Sequence, residues 1–441
     1  MSRVLAFRDM QSRHPLAPLR DHGTIRLRCA AILRSVESGV SPHFSVRREA
    51  LDAVADRVAA LTLKRFPTLE IPFHSRWRHF ESGGVNRKAE LDTLLAGRSP
   101  NEQARAHFDL TVVSVLLDAG AGPQWRFSEP ATTQGGTPTI HQRSEGLGVA
   151  SFRAFLAGAF SATPDDPLRV DAAALQRIDA AALRAMFQSS PSNPLVGLEG
   201  RAGLLARLGE ALRNDAGSAA GTAAGPNAAR PGVYFDRLTQ HGTLKEVTAT
   251  AVLGELLAAM APIWTSGSRV QGLPAGDVWP HLWAGDTVAP QPGQAEPAVD
   301  STTSGWVPFH KLSQWLTYSL LEPLQWAGVK VTGLDALTGL PEYRNGGLLL
   351  DAGVIRPRDP RVLERTWVPG DPFIVEWRAL TVALLDDLAD RVRARLGKTA
   401  AELPLACVLE GGTWAAGREI ARERRDDGAP PLKIDSDGTV F

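Results

Sequence analysis

The stretch 371-DPFIVEWRALTVALLDDLADRVRARLG-397 decides the fold class. Asp371 followed by Pro372 is a helix start, with a short acceptor at the cap and a proline where the helix needs no N–H. Leu380, Leu384, Leu388 and Val392 then recur every four residues as one apolar stripe, and Gly397 supplies a left-handed stop. Two charged residues, Glu376 and Arg378, stand in the otherwise apolar first turns.

The same periodicity extends outward. It predicts a helix over 46–64, with Leu51, Val54, Val58 and Leu61 inward and Ser45 as cap. A second covers 103–117, presenting Phe108, Val112, Val115 and Leu116. Further helices are expected at 147–161, 171–187, 197–213, 244–261, 308–327 and 341–352, with Pro323 kinking or ending the one over 308–327. Strand signals are confined to 328–333 and 405–410, and the chain shows no βαβ rhythm or internal repeat. The expected fold is mainly α, compact and helical, with long ordered loops and at most a few short strands. Residues 1–24 read as an N-terminal arm and 25–441 as a single helical domain. The Ala/Gly-rich tract 214–232 is the place where two lobes would divide.

Composition narrows the function classes. Lys plus Arg equals Asp plus Glu at 48 each, which disfavours a nucleic-acid glycosylase or any binder relying on a concentrated basic surface. The two cysteines, Cys29 and Cys407, lie far apart without metal-type spacing, so neither a disulfide framework nor a zinc site is expected. No run approaches the ~20 apolar residues of a membrane span, and the first twenty residues lack a signal-peptide core. A cytoplasmic protein without metal or cofactor is the expectation. Phosphate-loop, dinucleotide, zinc-protease and serine-elbow motifs are all absent.

Three constellations remain. The segment 71-IPFHSRWRHFESGGVNR-87 gathers His74, Arg76, Arg78, His79 and Arg87. It reads either as an anion site, since guanidinium binds phosphate or carboxylate bidentately, or as a solvated basic turn anchored by Trp77 and Phe80. The segment 125–146 holds Trp125, Glu129, Arg143 and Glu145 in a long loop, with Ser144 as a candidate cap for the following helix. The third joins 306-WVPFHKLSQWLTYSLLEPL-324, 334-LDALTGLPEYRNGGLLLDAGVI-355 and the opening helix. Here His310 and Gln314 share a helix face at i, i+4, and Glu342-Tyr343-Arg344 opens a helix after Pro341. Trp283, in a Pro/Gly-rich passage with Trp279, His281 and Asp286, and Trp306 are candidate pocket walls.

Long segments resemble a known family. GVSPHFSV, PFHSRWRHFESGGVNR, RFSEPATTQGGTPTIHQRSEGLGVASFRAF, GLEGRAGLLARLG, VWPHLWAGD, WVPFHKLSQWLTYSLLEPLQWAG and LTGLPEYRNGGLLLDAGV are similar to the uracil-catabolism family of the pyrimidine ring-opening route, over nearly the whole chain. In that route a ribosylurea-type intermediate leads to urea. A more distant similarity links PFHKLSQ, LTGLPEYRNGGLLLDAGV and VEWRALTVALLDDL to queuosine-nucleotide N-glycosidases, whose helical fold is reminiscent of DNA glycosylases. It places Glu342 where those enzymes carry an aspartate, aligns Tyr343, Arg344, Glu376 and Arg378, and puts His310 in place of a tyrosine.

Together the two resemblances imply an N-glycoside hydrolase that splits ribosylurea, with its 5′-phosphate the expected form, into urea and the sugar. They imply Glu342, Glu376 and His310 as catalytic residues. Tyr343, Arg344, Lys311, Trp306, Arg378, His74, Arg76, Arg78, His79, Arg87 and Trp283 would line the substrate. The alternatives from the same sequence are a non-catalytic binding or regulatory protein of the pathway and a ureido amidohydrolase. The expected partner is a small molecule, not a nucleic acid or a membrane.

Overall fold

The computed structural model describes residues 14–131, 136–218, 229–264, 267–285 and 303–435. Most of the N-terminal arm, the centre of the 214–232 tract and Asp286 lie outside them. The chain is mainly α, with 55% helix, 10% strand and only short two-stranded sheets. Among the described residues no helix is long and apolar enough to cross a membrane. Two units divide it: Met1–His74, Gly267–Gln314 and Gly333–Asp435 form the first, Ser75–Ser266 and Trp315–Thr332 the second. Both sides of the 214–232 tract fall inside the second unit.

The first unit is organised on Pro372–Leu396, whose Asp371 side chain caps Phe373 N and whose Gly397 ends it at φ +63. Its Val375, Ala379 and Val382 bury against Ile25, Cys29 and Ile32 of the His22–Glu37 helix and against Val307 and Phe309. Removing that apolar surface from water, at roughly 25 cal/mol per Å², is what holds these elements together. The helix Ala50–Arg65 buries Leu51, Val54, Val58 and Leu61 as the stripe predicted, but it starts later than the sequence suggested. Ser45 is no cap. It lies in the strand Phe44–Val46, which pairs antiparallel with Ile355–Pro357. An antiparallel hairpin, Val278–Pro280 against Trp306–Pro308, sets Trp279 opposite Val307. The described end of the arm packs too, with Leu16 and Leu19 buried beside Val270 and Val278.

Tract 405–410, expected as a strand, is helical: Leu405–Val408 continues into a π turn, Leu409–Thr413. A short buried apolar run has no period by which strand and helix can be told apart. Close approaches fix the short helix Asn345–Asp351. A Cβ on Gly346 would sit 2.3 Å from Trp377, and one on Gly417 would sit 2.3 Å from the Arg344 carbonyl.

The second unit centres on Pro100–Leu116, every residue of which from Ala106 to Leu116 is buried. Ser99 caps it and Pro100 opens it, three residues ahead of the predicted start. Leu198–Ser218 packs on Ala172–Leu175 and Ala180–Met186, which divide the single helix expected over 171–187. Ser144 lies within the helix Arg143–Leu156, whose cap position is taken by Gln142. The predicted strand near 328–333 is Lys330–Thr332, parallel to Glu246–Thr248.

Pro323 does not end its helix, which runs Lys311–Trp326. A proline at that position deprives the Ser319 carbonyl of its helical donor. The Trp77 indole N–H donates to that carbonyl at 3.1 Å, so the carbonyl stays satisfied and the helix continues.

Candidate functional site

In the first unit two of the predicted residues, Arg378 and Lys311, meet at one buried carboxylate, Asp277. Arg378 is fully buried and donates bidentately to Asp277, Nη1 to Oδ1 at 2.6 Å and Nη2 to Oδ2 at 2.7 Å. Its guanidinium also lies 4.2 Å over the Phe309 ring. Asp277 further accepts the Lys311 backbone N–H at 3.0 Å and the Trp279 indole N–H at 2.8 Å. Burial pushes the Asp277 carboxyl up, but Arg378 and these donors outweigh it and hold it below the ordinary aspartate value. One carboxylate thus ties together the 278–280 strand, the first turn of Lys311–Trp326 and the Pro372–Leu396 helix.

His310 precedes that first turn in the left-handed region, at φ +48, an uncommon and strained place for a residue with a Cβ. Its Nε2–H donates to the Leu19 carbonyl at 2.7 Å, and its own carbonyl accepts Gln314 N–H at 2.8 Å. Burial lowers its pKa, so the ring favours the neutral form. Lys311 follows, and its ammonium acts electrostatically on Glu342.

Glu342 is 6% exposed, and both of its oxygens are held by backbone: Oε2 accepts from Arg344 N and Oε1 from Asn345 N, each at 2.7 Å. The carboxyl therefore sits over the start of Asn345–Asp351 in a fixed orientation. Burial raises its pKa above the ordinary glutamate value, against the pull of the two N–H groups, Lys311 and Arg344. Arg344 is buried with its guanidinium 5.0 Å over the half-buried Tyr343 ring.

Glu376 is wholly buried and its Oε1 accepts the Ser41 hydroxyl at 2.6 Å. Its Oε2 has no hydrogen-bond partner among the described residues, and the nearest cation-forming group is His281 Nε2 at 3.7 Å. His281 in turn packs edge-on to Trp283 at 5.3 Å. Trp283 is half-buried on the core of the unit, whereas Trp306 packs with the Leu16 and Leu19 cluster.

The basic segment 71–87 is divided between the units, His74 belonging to the first and the rest to the second. His74 Nδ1 pairs with Glu410 at 2.9 Å. Arg76 meets Asp118 at 3.0 Å and donates to His79 Nδ1 at 2.9 Å and Ser114 Oγ at 2.6 Å. Arg78 pairs with Glu81 and Glu322. Arg87 forks onto Glu129, which also accepts from His141 and Arg153. Each of these arginines already faces a carboxylate.

Asp277, Ser41 and His281 were missed as site residues. Ser41 and His281 lie in segments singled out by their motifs, but Asp277 joins Arg378 across 101 positions, a pairing no local pattern encodes.

Fold and site define a mainly helical protein whose first unit buries Glu342, Glu376 and the Arg378–Asp277 pair, with Glu376 and Arg378 on the Pro372–Leu396 helix. The chain belongs to the family described as "Protein of unknown function (DUF1688)", whose model matches residues 18–441. Protein urg3 of Schizosaccharomyces pombe is 38% identical over 438 residues, covering 98% of this chain and 100% of that one. Uracil catabolism protein 4 of Lachancea kluyveri is 36% identical over 457 residues, covering 97% and 99%. The expected kinship with uracil-catabolism proteins is borne out by these relatives.

Proposed function

We propose that the protein acts in uracil catabolism as an N-glycoside hydrolase, splitting ribosylurea or its 5′-phosphate into urea and the sugar. The observation that carries the reading is the Glu342 carboxyl, buried, fixed through both oxygens and raised in pKa beside Lys311. In the reaction the C1′–N bond breaks as a water oxygen bonds to C1′. One water proton ends on the departing urea nitrogen. Positive charge develops on the sugar as urea leaves, and a carboxylate held against rotation stabilises that charge or orients the water without reorganising.

His310 commits its Nε2–H to Leu19, so Lys311 supplies the proton to the leaving nitrogen in this reading. A sugar phosphate would be held by Arg344, whose buried guanidinium lies over Tyr343 two residues from the Glu342 carboxyl. Glu376, one oxygen of which has no hydrogen-bond partner among the described residues, is the second carboxyl offered to substrate in this reading.

The purified chain is incubated with N-ribosylurea 5′-phosphate and with N-ribosylurea, and urea is followed over time. Urea release is expected, with Glu342→Gln slower by at least about 100-fold while remaining folded. Because burial raises Glu342, the acid limb of kcat/KM should have its midpoint above the ordinary glutamate value of 4.5. Unreacted substrate refutes hydrolysis, ammonia in place of urea assigns attack at the ureido carbonyl, and tight binding without turnover assigns a binding protein.

A further inference from the structure

Gln314 lies one turn into the Lys311–Trp326 helix and is completely buried. Neither its amide nitrogen nor its amide oxygen has a hydrogen-bond partner among the described residues. A buried amide left without partners forfeits its hydration and is costly, which is why nearly all such groups in folded proteins are satisfied. Its own backbone N–H is engaged by the His310 carbonyl, so the main chain is fixed while the side chain is not. The i, i+3 spacing sets Gln314 on the face of Lys311, the residue whose charge acts on Glu342.

We infer that Gln314 is the specificity-determining residue of this site, and that its carboxamide pairs edge to edge with a ureido group. A primary amide presents one donor and one acceptor side by side. The terminal half of a ureide presents the complementary pair, a carbonyl oxygen and a syn N–H. The two close a planar ring of two hydrogen bonds, satisfying the Gln314 amide oxygen and one N–H of its amide nitrogen. This rests on the ribosylurea reading for the identity of the substrate. It adds that recognition is of the leaving urea rather than of the sugar, with Lys311 and Glu342 beside the bond that breaks.

The test uses the full chain, Gln314→Met, N-ribosylurea, and the analogue whose terminal nitrogen carries two methyl groups and therefore no N–H. Binding is measured by calorimetry, independently of urea release, and thermal unfolding is followed without ligand. Wild type should prefer N-ribosylurea over the dimethyl analogue by about 10- to 100-fold, the worth of one or two hydrogen bonds. Gln314→Met should abolish that preference. It should also melt no lower than wild type, because an apolar side chain of similar volume replaces an amide without a hydrogen-bond partner among the described residues.

A fall in melting temperature of several degrees would show the amide held by the protein and overturn the inference. So would a variant that keeps the preference, or a wild type that binds neither compound or both equally. If wild type binds N-ribosylurea selectively but releases no urea, hydrolysis fails alone and Gln314 is still decided by the same two affinities.

Discussion

Glu129 in the second unit and Glu376 in the first are glutamates of nearly equal burial, 4% and 0% exposed, with opposite surroundings. Glu129 is gripped by three cation-forming side chains, Arg87 and Arg153 through their guanidinium nitrogens and His141 at 3.0 Å. Burial pushes its carboxyl up, yet these partners overcome that and hold it down at about 2. Glu376 receives one serine hydroxyl and leaves an oxygen unpartnered among the described residues. A carboxylate whose lone pairs are filled by its own chain is built to hold elements together. One with an oxygen to spare keeps a contact for something else, at a cost in stability.

The comparison breaks first at Glu129. Replacing it with alanine leaves Arg87, which is fully buried, without its counter-charge. Breaking a buried pair from one side costs about 3–5 kcal/mol, because the remaining charge stays desolvated. Denaturant titration of Glu129→Ala should show a loss of that order, the largest effect of any single change considered. A loss below about 1 kcal/mol would mean that the cluster is a solvated surface feature and that the contrast with Glu376 is illusory.

The sequence carried the helices whose signals are local and lost the features settled by distant partners. Pro372–Leu396 was legible end to end because Asp371, Pro372, the leucine stripe and Gly397 all lie within it. That Pro323 does not end its helix was not legible, because the donor that serves the freed Ser319 carbonyl, the Trp77 indole, lies 242 positions away. Glu376 and Arg378 stood out as charges in apolar first turns and Glu342 as the acid of a helix start after Pro341, and the structure buries all three. Their partners did not stand out. Which arginine of the 71–87 segment meets which acid depends on Asp118, Glu129 and Glu322, and no spacing rule connects those.

pH sharpens the contrast between the units. Glu129 has a depressed pKa, so its contribution is fully present above the unfolded value near 4.5 and is lost as pH falls toward about 2. The stability gap between wild type and Glu129→Gln should shrink over that window. Glu342 is raised, so folding favours its protonated form. Its contribution is present below the unfolded value and lost as pH rises through the raised one. Glu342→Gln should therefore gain on wild type as pH increases. Unfolding curves for the three chains from pH 3 to pH 8 read both signs, and parallel slopes would remove the electrostatic distinction.

The smallest expected effect is the most telling for Glu376. In Glu376→Gln the amide oxygen still accepts from Ser41, and the new N–H₂ faces the oxygen site that had no partner, 3.7 Å from His281 Nε2. One buried polar group replaces another of the same shape and strands no partner, so stability should stay within about 1 kcal/mol of wild type by denaturant midpoint. Ribosylurea turnover should nevertheless fall, since the lost oxygen is the one without a hydrogen-bond partner among the described residues. A destabilisation above about 2 kcal/mol would place Glu376 with Glu129 as a structural carboxylate. The hydrolase reading would then rest on Glu342 alone, a carboxyl fixed through both oxygens by backbone N–H groups.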